Sequence, residues 1–155
     1  MLAKSQNYGL IFMIFGVMIM LSKFYEYKIE FFDVDSMDVM WHGNYIKYLE
    51  SVRCAMLDDI GCNYIAMREN GFCLPVIKLD IKYIKYIKFN QKIKIQIKVL
   101  DFDTILRLQY KIYDFASNEL LSIANTSQVA VDIKRKETLF DLPAILKNAI
   151  KTLGD

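Results

Sequence analysis

The stretch DVDSMDVMWHGNY, residues 33–45, lies between a predicted strand and a predicted helix, and it holds the chain's only tryptophan and only histidine. Before it, FYEYKIEFF at residues 24–32 alternates loosely between apolar and charged side chains, which predicts a strand with one buried face. After it, apolar residues recur at spacings of three and four, which predicts a helix over residues 44–60. The predicted buried face of this helix consists of Ile46, Leu49, Val52, Met56 and Ile60. The stretch therefore joins a strand to the main helix.

The two ends of this helix carry recognisable signals. Asn44 is the predicted N-cap, because its side-chain oxygen can accept a hydrogen bond from a backbone N–H of the first turn. Gly61 is the predicted stop. The helix start therefore falls inside the quoted stretch, close to three aspartates at positions 33, 35 and 38.

Four strand-like runs follow a loop at residues 63–71, and they cover residues 79–89, 92–99, 104–115 and 120–133. The second run, KIKIQIKV, alternates perfectly between apolar and polar residues. Turns at residues 101–103 and 116–118 are short, so neighbouring strands must be antiparallel. The run AILKNAIKTL predicts a last short helix. Asp141 is its predicted cap, and Pro143 stands in its first turn, where the missing N–H of proline costs nothing. The order of elements predicts an α+β fold in which one antiparallel sheet wraps around one long helix.

Composition limits the classes of protein that remain. With 155 residues, 54% hydrophobic and 25% charged, the chain is long enough for one domain with a substantial core. A net charge of +2 gives no reason to expect nucleic-acid binding, and the recurring lysines between residues 82 and 98 are interpreted as a solvated sheet face. Cys54, Cys62 and Cys73 form no C-x-x-C pair and are interpreted as reduced core thiols, which favours a cytoplasmic protein.

Residues 1–21 are interpreted as an apolar extension, and the folded domain is predicted over residues 22–155. Residues 9–21, GLIFMIFGVMIML, carry no charge but are too few to span a bilayer comfortably. They are open to several readings: an appended or mis-started segment, since Met18 and Met20 lie just before residue 22, a signal-like stretch, a membrane-associating anchor, or ordinary core. If they form an anchor, a chain that starts at Met20 should lose membrane association.

Three aspartates at a helix start are compatible with more than one chemistry. A calcium loop is disfavoured, because residues 37 and 38 break the EF-hand spacing, and no metal or other cofactor is expected. The run DVDSM is similar to the nucleophile loop of haloacid-dehalogenase-like phosphatases, but that family needs alternating βαβ units. A Ser-His-Asp or Cys-His hydrolase is disfavoured, because the chain has no G-x-S-x-G and core packing explains Ser51 and Cys54 equally well.

The same stretch resembles the hotdog-fold acyl-CoA thioesterases of the 4-hydroxybenzoyl-CoA thioesterase-like family, whose pattern runs D-x-D-x-x-G-V-V-Y-H-A-N-Y before a helix with F-E-x-x-R. The matching positions here are Asp33, Asp35, Val39, Met40, Trp41, His42, Gly43, Asn44 and Tyr45, followed by Leu49, Glu50 and Arg53. A second family segment, Y-x-K-P-hydrophobic-x-F-x-D, is partly reproduced by Tyr83, Lys85, Phe89 and Asn90. Asp38 stands where the family usually has Gly, and Tyr86 stands where it usually has Pro.

The resemblance implies a hotdog fold and hydrolysis of acyl-CoA or acyl-carrier-protein thioesters. It implies that Asp35 is the catalytic carboxylate. It also implies that backbone N–H groups at the helix start, those of His42, Gly43 and Asn44, donate hydrogen bonds to the thioester carbonyl. Trp41 and Tyr45 are candidate substrate-binding residues. For His42, a ring that orders the loop by hydrogen bonding and a direct role at the thiolate leaving group both stay open.

Two further expectations follow from the resemblance. It implies a homodimer or homotetramer, with a site at the subunit interface. A non-catalytic acyl-binding protein of the same fold is the alternative function, and it would have no need of Asp35.

Overall fold

The computed structural model describes residues 4–5 and 22–154, and an antiparallel sheet wrapped around one long helix dominates it. The strands are β1 (Lys4–Ser5), β2 (Ser22–Lys28), β3 (Phe72–Cys73), β4 (Val76–Tyr83), β5 (Lys92–Phe102), β6 (Leu106–Asp114), β7 (Leu120–Gln128), β8 (Val131–Asp132) and β9 (Glu137–Thr138). The helices are α1 (His42–Asp59), α2 (Tyr64–Glu69) and α3 (Ala144–Lys151), with short 3₁₀ turns at Phe31–Asp33 and Thr152–Gly154.

The main sheet has six strands in the order β1-β2-β5-β6-β7-β4, and every pair is antiparallel. A second, small sheet has the order β3-β8-β9. No pair of described strands is parallel, so this part of the chain lacks the βαβ units that a haloacid-dehalogenase-like phosphatase needs. The phosphatase alternative is therefore wrong, and the predicted α+β architecture is confirmed.

The core lies between α1 and the sheet face that carries the alternate residues of β5. Ile93, Ile95 and Ile97 are fully buried there, as the alternating pattern predicts. On α1, the buried stripe includes Leu49, Val52 and Met56, but Ile46 is 48% exposed. Tyr45 and Tyr48 occupy the stripe instead, because they lie one turn before Leu49 and Val52 on the same side of the helix. The predicted face was therefore wrong at Ile46.

The pair Glu50 and Arg53 on α1 forms an ion pair, as its spacing predicts. Arg53 is buried, and its Nε atom also donates to the hydroxyl of Tyr64 at 2.8 Å. This pair thus joins α1 to the start of α2, which lies within the predicted loop at residues 63–71. Asn63 caps α2 by accepting the backbone N–H of Ala66 at 3.0 Å.

Several predicted boundaries differ from the observed ones. The predicted strand over 24–32 ends at Lys28, since a 3₁₀ turn at Phe31–Asp33 follows it. The predicted strand over 79–89 ends at Tyr83, and the run over 120–133 divides into β7 and β8. Asp141 makes no side-chain cap on α3, whose N-cap position is Pro143. Gly61 adopts a positive φ of 70° just after α1, in agreement with its predicted role as the stop.

The three cysteines are all free, but only Cys62 is buried, so the description of them as core thiols was too broad. Residues 9–21 lie outside the described residues. Within the described part of the chain, no helix is long and apolar enough to cross a membrane.

Candidate active site

The segment from Asp33 to Trp41 forms a closed loop that leads directly into α1. Its base is an antiparallel bridge between Val34 and Met40, and the backbone N–H of Trp41 donates to the carbonyl of Asp33 at 2.9 Å. The side-chain Nδ2 of Asn44 donates to the same carbonyl at 2.9 Å. Hydrogen bonds from Trp41 and Asn44 to the Asp33 carbonyl thus hold the base of the loop against the start of the helix.

The carboxylate of Asp33 is fully buried at the base of this loop. One oxygen accepts the hydroxyl of Tyr48 at 2.6 Å and the backbone N–H of Glu30 at 2.9 Å, and the other accepts the ammonium of Lys47 at 3.1 Å. Burial by itself would raise the pKa of this carboxyl, but the hydrogen bonds from Tyr48, Glu30 and Lys47 outweigh it and hold the pKa below its usual value. Asp33 is therefore an ionised carboxylate whose two oxygens are both committed to structural partners.

Asp35 and Asp38 form the turn at the tip of the loop. The backbone N–H of Asp35 donates to the carbonyl of Val39 at 2.9 Å, and one carboxylate oxygen accepts the backbone N–H of Met37 at 2.8 Å. Asp35 is partly exposed, and its second carboxylate oxygen makes no hydrogen bond with any described residue. Asp38 is exposed and has a positive φ of 60°. Since aspartate tolerates this left-handed conformation better than most residues, it can stand where the family pattern has glycine.

The first turn of α1 presents backbone donors beside this loop. Trp41 is the N-cap residue, its side chain makes no capping hydrogen bond, and the helix begins at His42. The N-cap prediction for Asn44 was therefore wrong, because the helix starts two residues earlier and the Asn44 side chain binds the Asp33 carbonyl instead. The backbone N–H of Asn44 is also occupied, since it donates to the Trp41 carbonyl at 2.9 Å. The N–H groups of His42 and Gly43 have no acceptor among the described residues.

Trp41 and Gly43 are matched in shape. A Cβ atom added at Gly43 would lie 2.1 Å from the Trp41 ring, so the glycine leaves the space that the indole occupies. The ring of His42 lies 4.9 Å from the Trp41 ring, centroid to centroid. The indole thus packs over the first turn of α1 and is still 49% exposed.

An open cavity of about 1000 Å³ lies next to the start of α1. Its lining includes His42 and Tyr45 from α1, Tyr83 from the end of β4, and Leu121 from β7. Tyr45 packs edge-to-face on Tyr83 with a centroid distance of 4.9 Å, and burial raises the pKa of Tyr45 to about 12, so its phenol stays protonated. Tyr45 lines the cavity as a substrate-binding residue would.

The segment between β4 and β5 completes the cavity. None of the predicted site residues lies in this segment. Its contributors are Ile84, Lys85, Tyr86, Lys88, Phe89, Asn90 and Gln91, with Asp114 and Glu119 opposite. Part of this segment matches the Y-x-K family pattern, and that match was a signal that could have identified it. No comparable signal marked Asp114 or Glu119. Tyr86 lies outside any strand, so the position that is usually Pro in the family needs no ladder hydrogen bond here.

The structure separates the predicted site residues into two groups. His42 and Tyr45 line the cavity, whereas Asp35, Trp41, Gly43 and Asn44 do not line it within the single chain. His42 is exposed, and its ring makes no hydrogen bond with the described residues, so a role in ordering the loop by hydrogen bonding is not observed. Within residues 4–5 and 22–154, no three His, Cys, Asp or Glu side chains form a group that could hold a metal ion.

Comparisons with known proteins agree with this geometry. The Thioesterase-like superfamily matches residues 29–150. A Bacillus subtilis protein named "Putative acyl-CoA thioesterase YneP" is 28% identical over 107 residues, which is 69% of this chain and 78% of the relative.

Two solved structures have the same fold. The 1,4-dihydroxy-2-naphthoyl-CoA thioesterase Slr0204 from Synechocystis has a TM-score of 0.79 at 18% identity, over 86% of this chain and 98% of that one. SAV2348 from Staphylococcus aureus, solved in complex with CoA, has a TM-score of 0.79 at 13% identity, over 90% of this chain and 87% of that one. Since the family match covers most of the chain, the protein belongs to the thioesterase-like superfamily, and the hotdog fold and thioester-hydrolase class predicted from its sequence are confirmed.

Proposed function

We propose that this chain hydrolyses acyl-CoA thioesters, with Asp35 as the catalytic carboxylate and the N–H groups of His42 and Gly43 as donors to the thioester carbonyl oxygen. The observation that carries the proposal is the contrast within one loop, where Asp33 is fully committed to structural contacts and Asp35 keeps one carboxylate oxygen without a partner. A carboxylate oxygen without a partner and unpaired helix N-terminal donors are the two groups that thioester hydrolysis uses.

In the proposed reaction, the carbonyl oxygen binds at the start of α1, where two backbone N–H groups and the positive end of the helix dipole stabilise the negative charge that develops on it. The carboxylate of Asp35 either orients a water for attack on the carbonyl carbon or attacks that carbon itself, and in the second route water then hydrolyses the anhydride. In both routes the C–S bond breaks and the thiolate leaves. In this proposal His42, whose exposed ring lies at the cavity wall, binds or protonates that thiolate.

The cavity supports CoA as the carrier in preference to a carrier protein. Lys85 and Lys88 line it, and their positive charges suit the phosphate groups that CoA carries. Glu119 pairs with the ammonium of Lys85, whereas Lys88 lies over the ring of Tyr86, with its Nζ 5.4 Å from the centroid. Tyr45, Tyr83 and Phe89 give the same cavity a largely aromatic wall for the acyl group.

Because Asp35 does not line the cavity of its own chain, we infer that the site is completed in a homodimer. β4 is an edge strand of the main sheet, and nearly all of its side chains are exposed. Three of these side chains are apolar: Val76 (40% exposed), Ile77 (58%) and Leu79 (36%). An exposed, apolar edge strand is a template for pairing with another chain. Sedimentation analysis should find a dimer or tetramer for the wild type and a shift towards monomer for Ile77→Lys, and a monomeric active enzyme would contradict this inference.

The experiment that tests the function is thiol release from a panel of aromatic and aliphatic acyl-CoA esters with EDTA present. The wild type should release CoA, and Asp35→Asn should lower kcat by about 10²- to 10⁴-fold. Asp38→Asn is the matched control, because it removes the same charge from an exposed position of the same turn, and it should keep nearly full activity. The corresponding N-acetylcysteamine thioesters, which lack the nucleotide, should show a raised KM.

Three outcomes would contradict the proposal. Full activity in Asp35→Asn would move the chemistry to another residue. Equal losses in both variants would mean that the loop tolerates no change of charge. Tight acyl-CoA binding without thiol release would favour a non-catalytic acyl-binding protein.

A further inference from the structure

The outer face of the main sheet, turned away from α1, carries basic residues from four strands: β2, β4, β5 and β6. Because directly paired residues share a face, the register identifies its members. Lys94 and Lys98 of β5 lie opposite Tyr113 and Gln109 of β6, while Ile95 and Ile97 point into the core. The basic side chains of this outer face are Lys28, Lys78, Lys82, Lys92, Lys94, Lys98, Arg107 and Lys111.

This face is much more positively charged than the rest of the molecule. Three acidic side chains, Glu26, Asp80 and Asp101, share it with the eight basic ones, which leaves a surplus of five positive charges. The whole chain has a net charge of only +2, so the rest of the protein is net negative. The lysine pattern between residues 82 and 98 of the sequence reveals only part of this face. Strand pairing brings four further basic residues onto the face: Lys28, Lys78, Arg107 and Lys111. A concentrated positive face on a nearly neutral chain favours an extended anionic partner.

Two features of the face and of the sequence beside it indicate which anion fits. The basic side chains are carried by the strands of one antiparallel sheet and not by a helix, and the aromatic rings Phe24 and Tyr113 of this face pack against each other with a centroid distance of 6.5 Å, so they are not arranged to stack on bases. In addition, the uncharged sequence of residues 9–21 directly precedes β2 in the chain, and Ser22, the first residue of β2, pairs with Lys98 on this face. An apolar segment combined with a basic patch is the pair of signals that supports stable membrane binding.

We propose that the basic outer face of the sheet docks the protein on an anionic lipid surface, with the positive side chains near the headgroups. The cavity is lined by the end of β4 and by the segment that leads from β4 to β5, so it lies at one end of the docked sheet. This inference does not depend on Asp35 or on the thioester chemistry, and its failure would leave the proposed function unchanged.

The test is co-sedimentation of the full chain with vesicles of phosphatidylcholine alone and of phosphatidylcholine mixed with phosphatidylglycerol. The face variant carries Lys92→Gln, Lys98→Gln and Lys111→Gln, and the matched control carries Lys134→Gln, Lys136→Gln and Lys151→Gln. None of these six lysines forms an ion pair with another described residue. Circular dichroism and acyl-CoA hydrolysis without vesicles should be unchanged in both variants.

The wild type should bind the anionic vesicles, bind the neutral ones much more weakly, and be released by high salt. Loss of three basic residues near the surface should lower the partition coefficient by about a hundredfold in the face variant. The control should stay within about twofold of the wild type, since its lysines lie elsewhere. Equal binding to both kinds of vesicle, equal losses in the two variants, or no binding would each overturn the proposal. Binding to a short duplex DNA without binding to vesicles would assign the face to nucleic acid and would overturn it as well.

Discussion

The two ends of the loop before α1 carry the same type of side chain in opposite surroundings. At its base, Asp33 is buried and accepts hydrogen bonds from Tyr48, Glu30 and Lys47. At its tip, Asp35 is partly exposed and accepts one hydrogen bond, from the backbone of its own turn. The difference teaches that the D-x-D spacing divides the work between the two residues. The first carboxylate is held by structural contacts, and the second keeps one oxygen without a partner among the described residues, as the proposed mechanism needs.

Among substitutions that test the difference between Asp33 and Asp35, Asp33→Asn is expected to lower the free energy of unfolding the most. The amide cannot accept from three donors, so the buried hydroxyl of Tyr48 or the ammonium of Lys47 loses its partner. We expect the free energy of unfolding to fall by roughly 2–4 kcal/mol, measured by urea denaturation. Asp38→Asn should change it by about 0.5 kcal/mol or less. If the two substitutions cost the same, Asp33 is not the structural member of the pair.

A smaller loss is expected from Tyr48→Phe, which removes the hydroxyl that donates to Asp33 at 2.6 Å but keeps the ring in the core. The carboxylate keeps its bonds to Glu30 and Lys47, so the free energy of unfolding should fall by about 1–2 kcal/mol. The double variant with Asp33→Asn measures the coupling between the two groups. Additive losses would show that the two side chains do not act together.

The comparison also predicts a pH dependence. Since the folded-state pKa of Asp33 lies below its ordinary value of 3.8, the folded state holds the ionised form more strongly than the unfolded state does. The stability that this carboxylate contributes is present above about pH 4 and is lost as the pH falls through the lower folded-state pKa. The difference in unfolding free energy between wild type and Asp33→Asn should therefore shrink below pH 4. A difference that stays constant or grows there would contradict the pairing.

The smallest effect concerns the first turn of α1. In Gly43→Ala, the new Cβ would meet the Trp41 ring at 2.1 Å, so the indole must move away. Because Trp41 is the only tryptophan, its fluorescence emission should shift to longer wavelength as the ring becomes more exposed. The free energy of unfolding should change by about 1 kcal/mol or less. Unchanged emission in Gly43→Ala would show that the indole does not pack over this turn.

Much of the fold could be predicted from the sequence, because local patterns decide it. The alternation through Ile93, Ile95 and Ile97 identified the buried face of β5, and the spacing of Leu49, Val52 and Met56 identified α1. The errors occurred where a pattern stopped being local. Ile46 has the spacing of a core position, but Tyr45 and Tyr48 fill the buried side of the helix and leave Ile46 exposed.

The candidate site was harder to predict for the same reason. Nothing in the D-x-D spacing shows which aspartate is buried, because that depends on Lys47 and Tyr48, which reach back from α1. The cavity wall depends on how the segment between β4 and β5 folds against Tyr45, a long-range contact without a periodic pattern. The family motif identified His42 and Tyr45 as cavity residues, but it could not show that Asp35 lies outside the cavity of a single chain.

The most direct test is to measure kcat/KM for an acyl-CoA ester and the free energy of unfolding on the same preparations of Asp33→Asn and Asp35→Asn. The account predicts opposite profiles. Asp35→Asn should lose about 10²- to 10⁴-fold in activity while it keeps its stability, and Asp33→Asn should lose stability while its folded fraction still turns over substrate. If Asp35→Asn keeps wild-type activity, or if both variants lose activity and stability in parallel, the division of roles between the two aspartates is wrong.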